Sequence, residues 1–146
     1  MQDTDLAWMA GIIDGEGCIT ITRRSGPRHV NSLYLRIANT NETMILRITE
    51  LFRGAKVYYS VDKRPQNKPV YIWQKSGKPA AEILKQVFPY LVAKRAQAEI
   101  AIAFTALPRV KYPKGGTPAD LVGQRKVLYD KIRVLNQVGT KRVESA

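Results

Sequence analysis

The hydrophobic period of this chain changes at Gly17, from the spacing of a helix to the alternation of a strand. Upstream, apolar residues recur with helical spacing at Leu6, Met9 and Ile13. They predict a helix over 5–14, with Asp3 or Thr4 as its cap. Downstream, isoleucines alternate with small polar residues over 18–22, which predicts a strand with one buried face. A chain that joins a helix directly to a half-buried strand requires a fold that mixes both elements.

Similar patterns predict the remaining elements. Alternation over 32–37 predicts a second strand, and a second hairpin is predicted from strands over 56–61 and 70–74. Further helices are predicted after the capping residue Asn41, over 79–87, over 93–107, and from Thr117 to near Gly139. This order indicates one α+β domain over 1–146, whose helices cover one face of a four-stranded antiparallel sheet.

The charge of the chain indicates a polyanionic partner. Lys and Arg number 24 against 12 Asp and Glu, which gives a net charge of +12. Nucleic acid and an acidic membrane surface both attract such a protein. We expect no membrane association, because no apolar run reaches the roughly 18 residues that a spanning helix needs. We expect an intracellular protein, and the sequence does not distinguish an organelle from a bacterial or phage-infected cytoplasm.

The single Cys18 and the single His29 limit the chemistry that the chain can perform. A disulfide framework, a zinc site of the usual type, and a Ser-His or Cys-His nucleophile all need more of these residues. Any metal ion is therefore expected to be held by oxygen ligands.

The first predicted helix carries a stripe of small residues beside its apolar face. Such a stripe is predicted to allow close approach of a second helix. Its residues are Ala7, Ala10, Gly11 and Asp14. The helix ends in Gly15, Glu16 and Gly17, so one carboxylate projects from its tip. Twofold pairing through the stripe would bring two such carboxylates together, and paired carboxylates attract cations such as Mg²⁺.

The segment 8–17, with sequence WMAGIIDGEG, resembles the LAGLIDADG motif, with Met9 at its first position and Gly17 at its last. It departs from the motif in four residues that keep size or chemistry, namely Met9, Ile12, Gly15 and Glu16. The resemblance implies an αββαββα LAGLIDADG homing endonuclease core with additional C-terminal helices and a sheet that forms a DNA-binding saddle. It also implies a homodimer that makes staggered double-strand breaks in a long, pseudo-palindromic DNA target, encoded within an intron or intein.

The resemblance also assigns site residues. Glu16 corresponds to the acidic residue that coordinates the catalytic metal ions, and Gly15 would contribute a backbone carbonyl. The expected cofactor is Mg²⁺ or Mn²⁺, with Ca²⁺ supporting binding without cleavage. Asp14 falls at a position used mainly for structure at the helix interface. Asn39 falls near the nucleophilic water of related enzymes, and Lys94 falls beside the scissile phosphate.

Simpler interpretations of Asn39 and Lys94 stay open. Asn39 precedes a helix and would serve equally as a turn or cap residue. Lys94 would be an ordinary solvated lysine, as most lysines are.

Residues on the two hairpins are the candidates for DNA binding, because an antiparallel ribbon fits the major groove. The candidates on the first hairpin are Thr20, Thr22, Arg24, Arg28, Asn31, Tyr34 and Arg36. Those in the second hairpin loop are Lys63, Arg64 and Lys68. For any one of them, a charged hairpin tip that only keeps the protein soluble is nearly as good an interpretation.

Two other functions compete with DNA cleavage. One is a noncatalytic nucleic-acid-binding protein of the same fold, such as an intron-splicing maturase or a transcription regulator. The retained carboxylate of Glu16 favours cleavage over this alternative. The other is a basic RNA-associated protein, which leaves the small-residue stripe and Glu16 without a role.

Overall fold

A computed structural model describes residues 1–23, 31–61, 63–108 and 117–137. The chain begins with α1 (Asp3–Glu16), β1 (Gly17–Arg23), β2 (Asn31–Asn39) and α2 (Glu42–Leu51). It continues with β3 (Lys56–Ser60), β4 (Val70–Ser76), α3 (Gly77–Val87) and a 3-10 turn (Phe88–Tyr90). It ends with α4 (Arg95–Ala106) and α5 (Ala119–Gln137). The element order confirms the predicted α+β fold.

The four strands form one antiparallel sheet in the order β1-β2-β4-β3. Gly17 pairs with Ile37 at one end of the first hairpin, and Arg23 pairs with Asn31 at the other. On β1 and β2, odd-numbered residues such as Ile19 and Leu35 are buried, whereas their even-numbered neighbours are more exposed. The helices therefore cover one face of the sheet, and the other face is open.

The core lies between the covered face and the helices. Its largest fully buried side chain is Trp73 of β4, which pairs with Ile37 of β2. Helix α1 contributes Met9 and Ile13, both fully buried. Each fully buried side chain of this kind stabilises the fold by roughly 1.5–3 kcal/mol. Because the face of α1 with Met9 and Ile13 is buried, only the opposite face of this helix can contact another molecule.

Helix α5 protects the outer edge of β1. The Asn136 side-chain amide donates a hydrogen bond to the Ile19 carbonyl across 2.9 Å. An edge strand with an unpaired carbonyl is a template for strand addition, and this contact removes one such group. The opposite edge strand, β3, is exposed along its whole length.

Gly17 is required at the junction of α1 and β1 for a steric reason. A Cβ at this position would lie 2.7 Å from the Ile13 carbonyl oxygen and 2.8 Å from the Ile13 Cα. We expect Gly17→Ala to lower the free energy of unfolding by about 1–3 kcal/mol, because the main chain must move to relieve the overlap. Urea unfolding measures this as a lower midpoint with an unchanged slope.

The matched control for this prediction is Gly123→Ala on α5, where an added Cβ meets no atom within 4 Å. The control is expected to keep or raise stability, since alanine favours helices over glycine. Equal midpoints for the two variants would contradict the steric role of Gly17.

Candidate active site

The C-terminal tip of α1 carries the exposed side chain of Glu16, and the Lys94 ammonium group caps its last turn. Glu16 is the last residue of the helix and its side chain is exposed. The Lys94 Nζ donates hydrogen bonds to the carbonyls of Ile13 at 3.0 Å and Asp14 at 2.8 Å. The last turn of α1 contains no basic residue of its own, so Lys94 supplies the cation that the negative end of the helix dipole favours. Lys94 is therefore not an ordinary solvated lysine.

Asp14 anchors the segment that carries Lys94. Its carboxylate accepts hydrogen bonds from the main-chain N–H of Val92 at 2.8 Å and of Lys94 at 2.9 Å. Charge-assisted bonds of this kind are the stronger ones in proteins. The Lys94 side chain is thus placed by two contacts, one through its main chain and one through its amine.

The predicted interface stripe needs a correction at two positions. Ala10 is fully buried in the core of its own chain, so it cannot contact a second copy. Asp14 turns toward the segment before α4 rather than outward. Around the helix axis, Ala10 lies about 100° and Asp14 about 60° from Gly11, on the side of α1 that packs within the chain.

The face of α1 that remains exposed is small at its centre. Ala7, Gly11 and Gly15 are exposed, and Trp8 flanks them. A Cβ added at Gly11 or Gly15 would meet no atom of this chain within 4 Å. Glycine inside a helix costs about 1 kcal/mol relative to alanine. Nothing in the described chain requires glycine at these two positions, and close approach by another molecule would.

Asn39 lies at the α1 end of the sheet, two residues beyond the Ile37 that pairs with Gly17. Its Oδ1 accepts a hydrogen bond from the main-chain N–H of Asn41 at 2.8 Å, and Asn41 in turn caps α2 by accepting from Met44. Asn39 therefore has the turn role that the sequence left open. A second role near a reacting water stays a prediction.

Tyr71 of β4 pairs with Asn39 of β2, and the charge of Glu42 on α2 acts on its phenol. Desolvation, followed by the charge and hydrogen bond of Glu42, raises the pKa of Tyr71 above its ordinary value.

The open face of the sheet is polar and basic. It carries Thr20, Thr22, Tyr34 and Arg36, as predicted, together with Lys56, Tyr58 and Gln74. The Arg36 guanidinium lies 6.0 Å and the Lys56 Nζ lies 5.5 Å from the centre of the Tyr58 ring. The sequence prediction missed Lys56, Tyr58 and Gln74, because only the registers of β2 with β4 and of β3 with β4 show that they share a face with Arg36.

Among the other predicted DNA-binding residues, Asn31 is the one that lies on a described strand. Asn31 lies on the covered side of β2, with Leu33, and its amide donates to the Thr22 carbonyl at 3.3 Å, so its role in DNA binding stays a prediction. Arg24 and Arg28 lie outside the described residues. Lys63, Arg64 and Lys68 are exposed in the segment between β3 and β4, where a role in binding stays a prediction.

One copy of the described chain supplies too few ligands for a divalent cation. Within the described ranges, no group of three His, Cys, Asp or Glu side chains is placed to hold a metal ion. Glu16 has no hydrogen-bond or ion-pair partner there, so its carboxylate is available. Hard cations take about six oxygen ligands. The chemistry of this donor fits such an ion if a second carboxylate and phosphate oxygens complete the set.

In the part of the chain described, no helix combines the length and apolar character needed to cross a membrane.

Comparisons with known proteins identify the fold. No family model matches the chain, and no curated protein matches it in sequence. Among solved structures, the homing endonuclease I-CvuI bound to its target in the presence of Ca²⁺ has a TM-score of 0.72 and 24% identity, over 90% of this chain and 82% of that one. The LAGLIDADG meganuclease I-AabMI, bound to uncleaved DNA, has a TM-score of 0.66 and 19% identity, over 85% of this chain and 43% of that one.

A more distant similarity covers nearly the whole of a small neighbour. The archaeal intron-encoded homing endonuclease I-Vdi141I, complexed with DNA, has a TM-score of 0.59 and 12% identity, over 92% of this chain and 99% of that one. These similarities establish the LAGLIDADG homing endonuclease fold, and they confirm the resemblance first found in the segment 8–17.

Proposed function

We propose that this chain, which has the LAGLIDADG homing endonuclease fold, is a site-specific DNA endonuclease that acts as a homodimer. It would make staggered double-strand breaks in a long, pseudo-palindromic target by hydrolysing one phosphodiester on each strand. The observation that carries the proposal is the exposed Glu16 carboxylate at the tip of α1, whose last turn is capped by Lys94, at one end of an open basic sheet face.

The proposed homodimer is based on the exposed face of α1, whose central residues have little or no side chain. Contact through Ala7, Gly11 and Gly15 would place two α1 tips next to each other, each with a free carboxylate. Two Glu16 side chains and the Gly15 carbonyls would then hold Mg²⁺ or Mn²⁺ together with oxygens of the DNA. Bound there, the metal ion supplies Lewis-acid stabilisation of the charge that develops on the phosphate. We expect Ca²⁺ to support DNA binding without cleavage.

The remaining groups bind and orient the DNA. Arg36, Thr20, Thr22 and Tyr34 lie on a two-stranded ribbon that fits the major groove, where alternate side chains meet base edges. Lys63, Arg64 and Lys68 extend the contact to bases or phosphates from the second hairpin loop. Asn39 would orient the attacking water, and Lys94 would lie beside the scissile phosphate. Within a host cell, a cut of this kind would promote copying of the intron or intein that carries the gene.

Lys94→Met is expected to lower the single-turnover cleavage rate about a hundredfold, because an ammonium beside the developing phosphate charge is lost. DNA affinity should change less than about threefold, since the other phosphate contacts remain. The rate and the dissociation constant are measured separately on the same duplex. Lys85→Met is the matched control, because Lys85 pairs with Glu82 on the surface of α3. Cleavage by Lys94→Met at the wild-type rate would contradict the catalytic role.

The experiment that tests the function is selection of cleaved sequences from a randomised duplex library with purified protein and Mg²⁺. Recovery of one quasi-palindromic site with breaks on both strands supports the endonuclease. Tight duplex binding without cleavage in Mg²⁺ or Mn²⁺ would favour the maturase or regulator. Binding of RNA with no duplex DNA binding would favour the RNA-associated alternative.

A further inference from the structure

We propose that a second DNA contact, for a backbone phosphate, lies in a notch at the end of the sheet far from Glu16. The notch is a cavity of about 230 Å³ between the start of β2, the start of α3, the end of α4 and one face of α5. Its polar lining residues include Asn31, Ser32, Ser76, Lys78, Thr105 and Arg125. This proposal rests on the proposed function. It adds residues of α3, α4 and α5 to the DNA-binding surface, which the base-reading strands do not supply.

The notch exists because two neighbouring strands end at different levels. Ser76, the last residue of β4, pairs with Tyr34, so β2 continues to Asn31 without a β4 partner. The chain leaves β4 at Gly77, whose φ of 65° is in the left-handed region that glycine tolerates. This turn starts α3 beside the free edge of β2. The space left at the corner has room for several water-sized groups, each about 30 Å³.

The electrostatics of the notch favour an anion. Two cations, Lys78 and Arg125, line it, and none of its lining residues is acidic. Neither cation has an ion-pair or hydrogen-bond partner within the residues described. Arg125 is half-buried, so its guanidinium is partly desolvated, and no described residue compensates with a hydrogen bond or ion pair. A phosphate group would supply that partner and can take two parallel hydrogen bonds from it.

The start of α3 points to the same chemistry independently. The side chain of the N-cap residue Ser76 makes no capping hydrogen bond, and the first turn of α3 has no acidic residue. The positive Lys78 lies in that turn, where a helix dipole disfavours cations. An anion in the notch would accept from the uncapped first turn of α3 and would offset the positive charge of Lys78 there.

The geometry identifies the source of the anion as DNA on the open sheet face. Ser32 and Tyr34 line the notch and also belong to the open face, so the two surfaces are continuous. Ser32 lies five residues along β2 from Ile37, which pairs with Gly17 at the α1 tip. At 3.4 Å per residue this separation is about 17 Å. In a homodimer, each notch would therefore meet the outer part of the target, away from the scissile phosphates.

The test compares two double variants with the same change in charge on the same two helices. Lys78→Gln with Arg125→Gln removes the notch cations. Lys85→Gln with Lys126→Gln removes cations that are already paired with Glu82 and Asp130. DNA affinity is measured against salt concentration for both, and thermal unfolding confirms that both are folded. We expect the notch variant to bind DNA about tenfold more weakly, with a log–log salt slope smaller by about 1–2. The control should stay within about twofold of wild type.

A second measurement separates this site from the proposed function. The amide NMR signal of Gly77 is followed on titration with inorganic phosphate, and it should shift in wild type but not in the notch variant. If wild type binds no duplex DNA, the proposed function fails and so does the DNA source of the anion. If wild type binds DNA and the two double variants have equal affinities and slopes, the notch is not a phosphate site, and the endonuclease proposal is unaffected.

Discussion

Glu16→Gln is expected to slow DNA cleavage by at least about a thousandfold, or about 4 kcal/mol in the activation free energy. Glutamine keeps the size of the side chain and its position at the end of α1. It removes the charge that attracts a divalent cation, and no group of three His, Cys, Asp or Glu side chains within the described ranges offers an alternative site. The loss should therefore fall on the chemical step.

The affinity of Glu16→Gln for DNA should be equal to that of wild type or slightly higher. Glu16 lies at one end of a basic surface, and removing a carboxylate from a surface that meets phosphates reduces repulsion. Folding should also be unaffected, because the Glu16 side chain is exposed and makes no hydrogen bond with a described residue. Cleavage rate, dissociation constant and urea midpoint together separate the loss of catalysis from a loss of structure.

The matched control is Glu99→Gln, which makes the same chemical change at an exposed position of α4. If Glu99→Gln cleaves at the wild-type rate and Glu16→Gln is inactive, the chemistry takes place at the α1 tip. Residual cleavage by Glu16→Gln above about a tenth of the wild-type rate would exclude Glu16 as an essential metal ligand. Loss of binding in parallel with cleavage would instead indicate that Glu16 holds the DNA-binding conformation.

The fold could be predicted from the sequence because the spacing of apolar residues matches the one face that each helix or strand buries. Gly17 and the isoleucines that follow it lie where the change of period placed them. The prediction ended β4 at 74, which is too early, because a lysine such as Lys75 is not expected on the covered face of a sheet. Its Nζ instead reaches the Arg53 carbonyl at 2.7 Å, so a lysine can occupy that side of the sheet.

The site was predicted less completely, since its groups meet through contacts between distant parts of the chain. The Asp14 carboxylate bonds to main-chain N–H groups near Lys94, eighty residues away in sequence, and no local pattern encodes such partners. Ala10 is compatible with either face of α1, and only packing against the rest of the core assigns it to the interior. The Glu16 position itself was predictable because its glycine neighbours and the motif are local.

Gly11→Gln is expected to convert the protein from a dimer to a monomer in sedimentation measurements. The exposed Gly11 lies at the centre of the small face of α1, so a long side chain there would hold two helices apart. Within one chain the same change meets open space and favours the helix by roughly 0.5–1 kcal/mol. A variant that gains stability as a single chain while it loses association would be the signature of an interface glycine.

Double-strand cleavage should be lost with the dimer, because a monomer presents a single Glu16 to the DNA. The matched control is Gly123→Gln on α5, another helical glycine around which the chain leaves space. It should keep both the dimer and the cleavage activity. Since association depends on concentration, the two variants and wild type are compared over the same range. A monomeric wild type, or a Gly11→Gln variant that stays dimeric and active, would contradict pairing through this face and would require the second carboxylate to come from elsewhere.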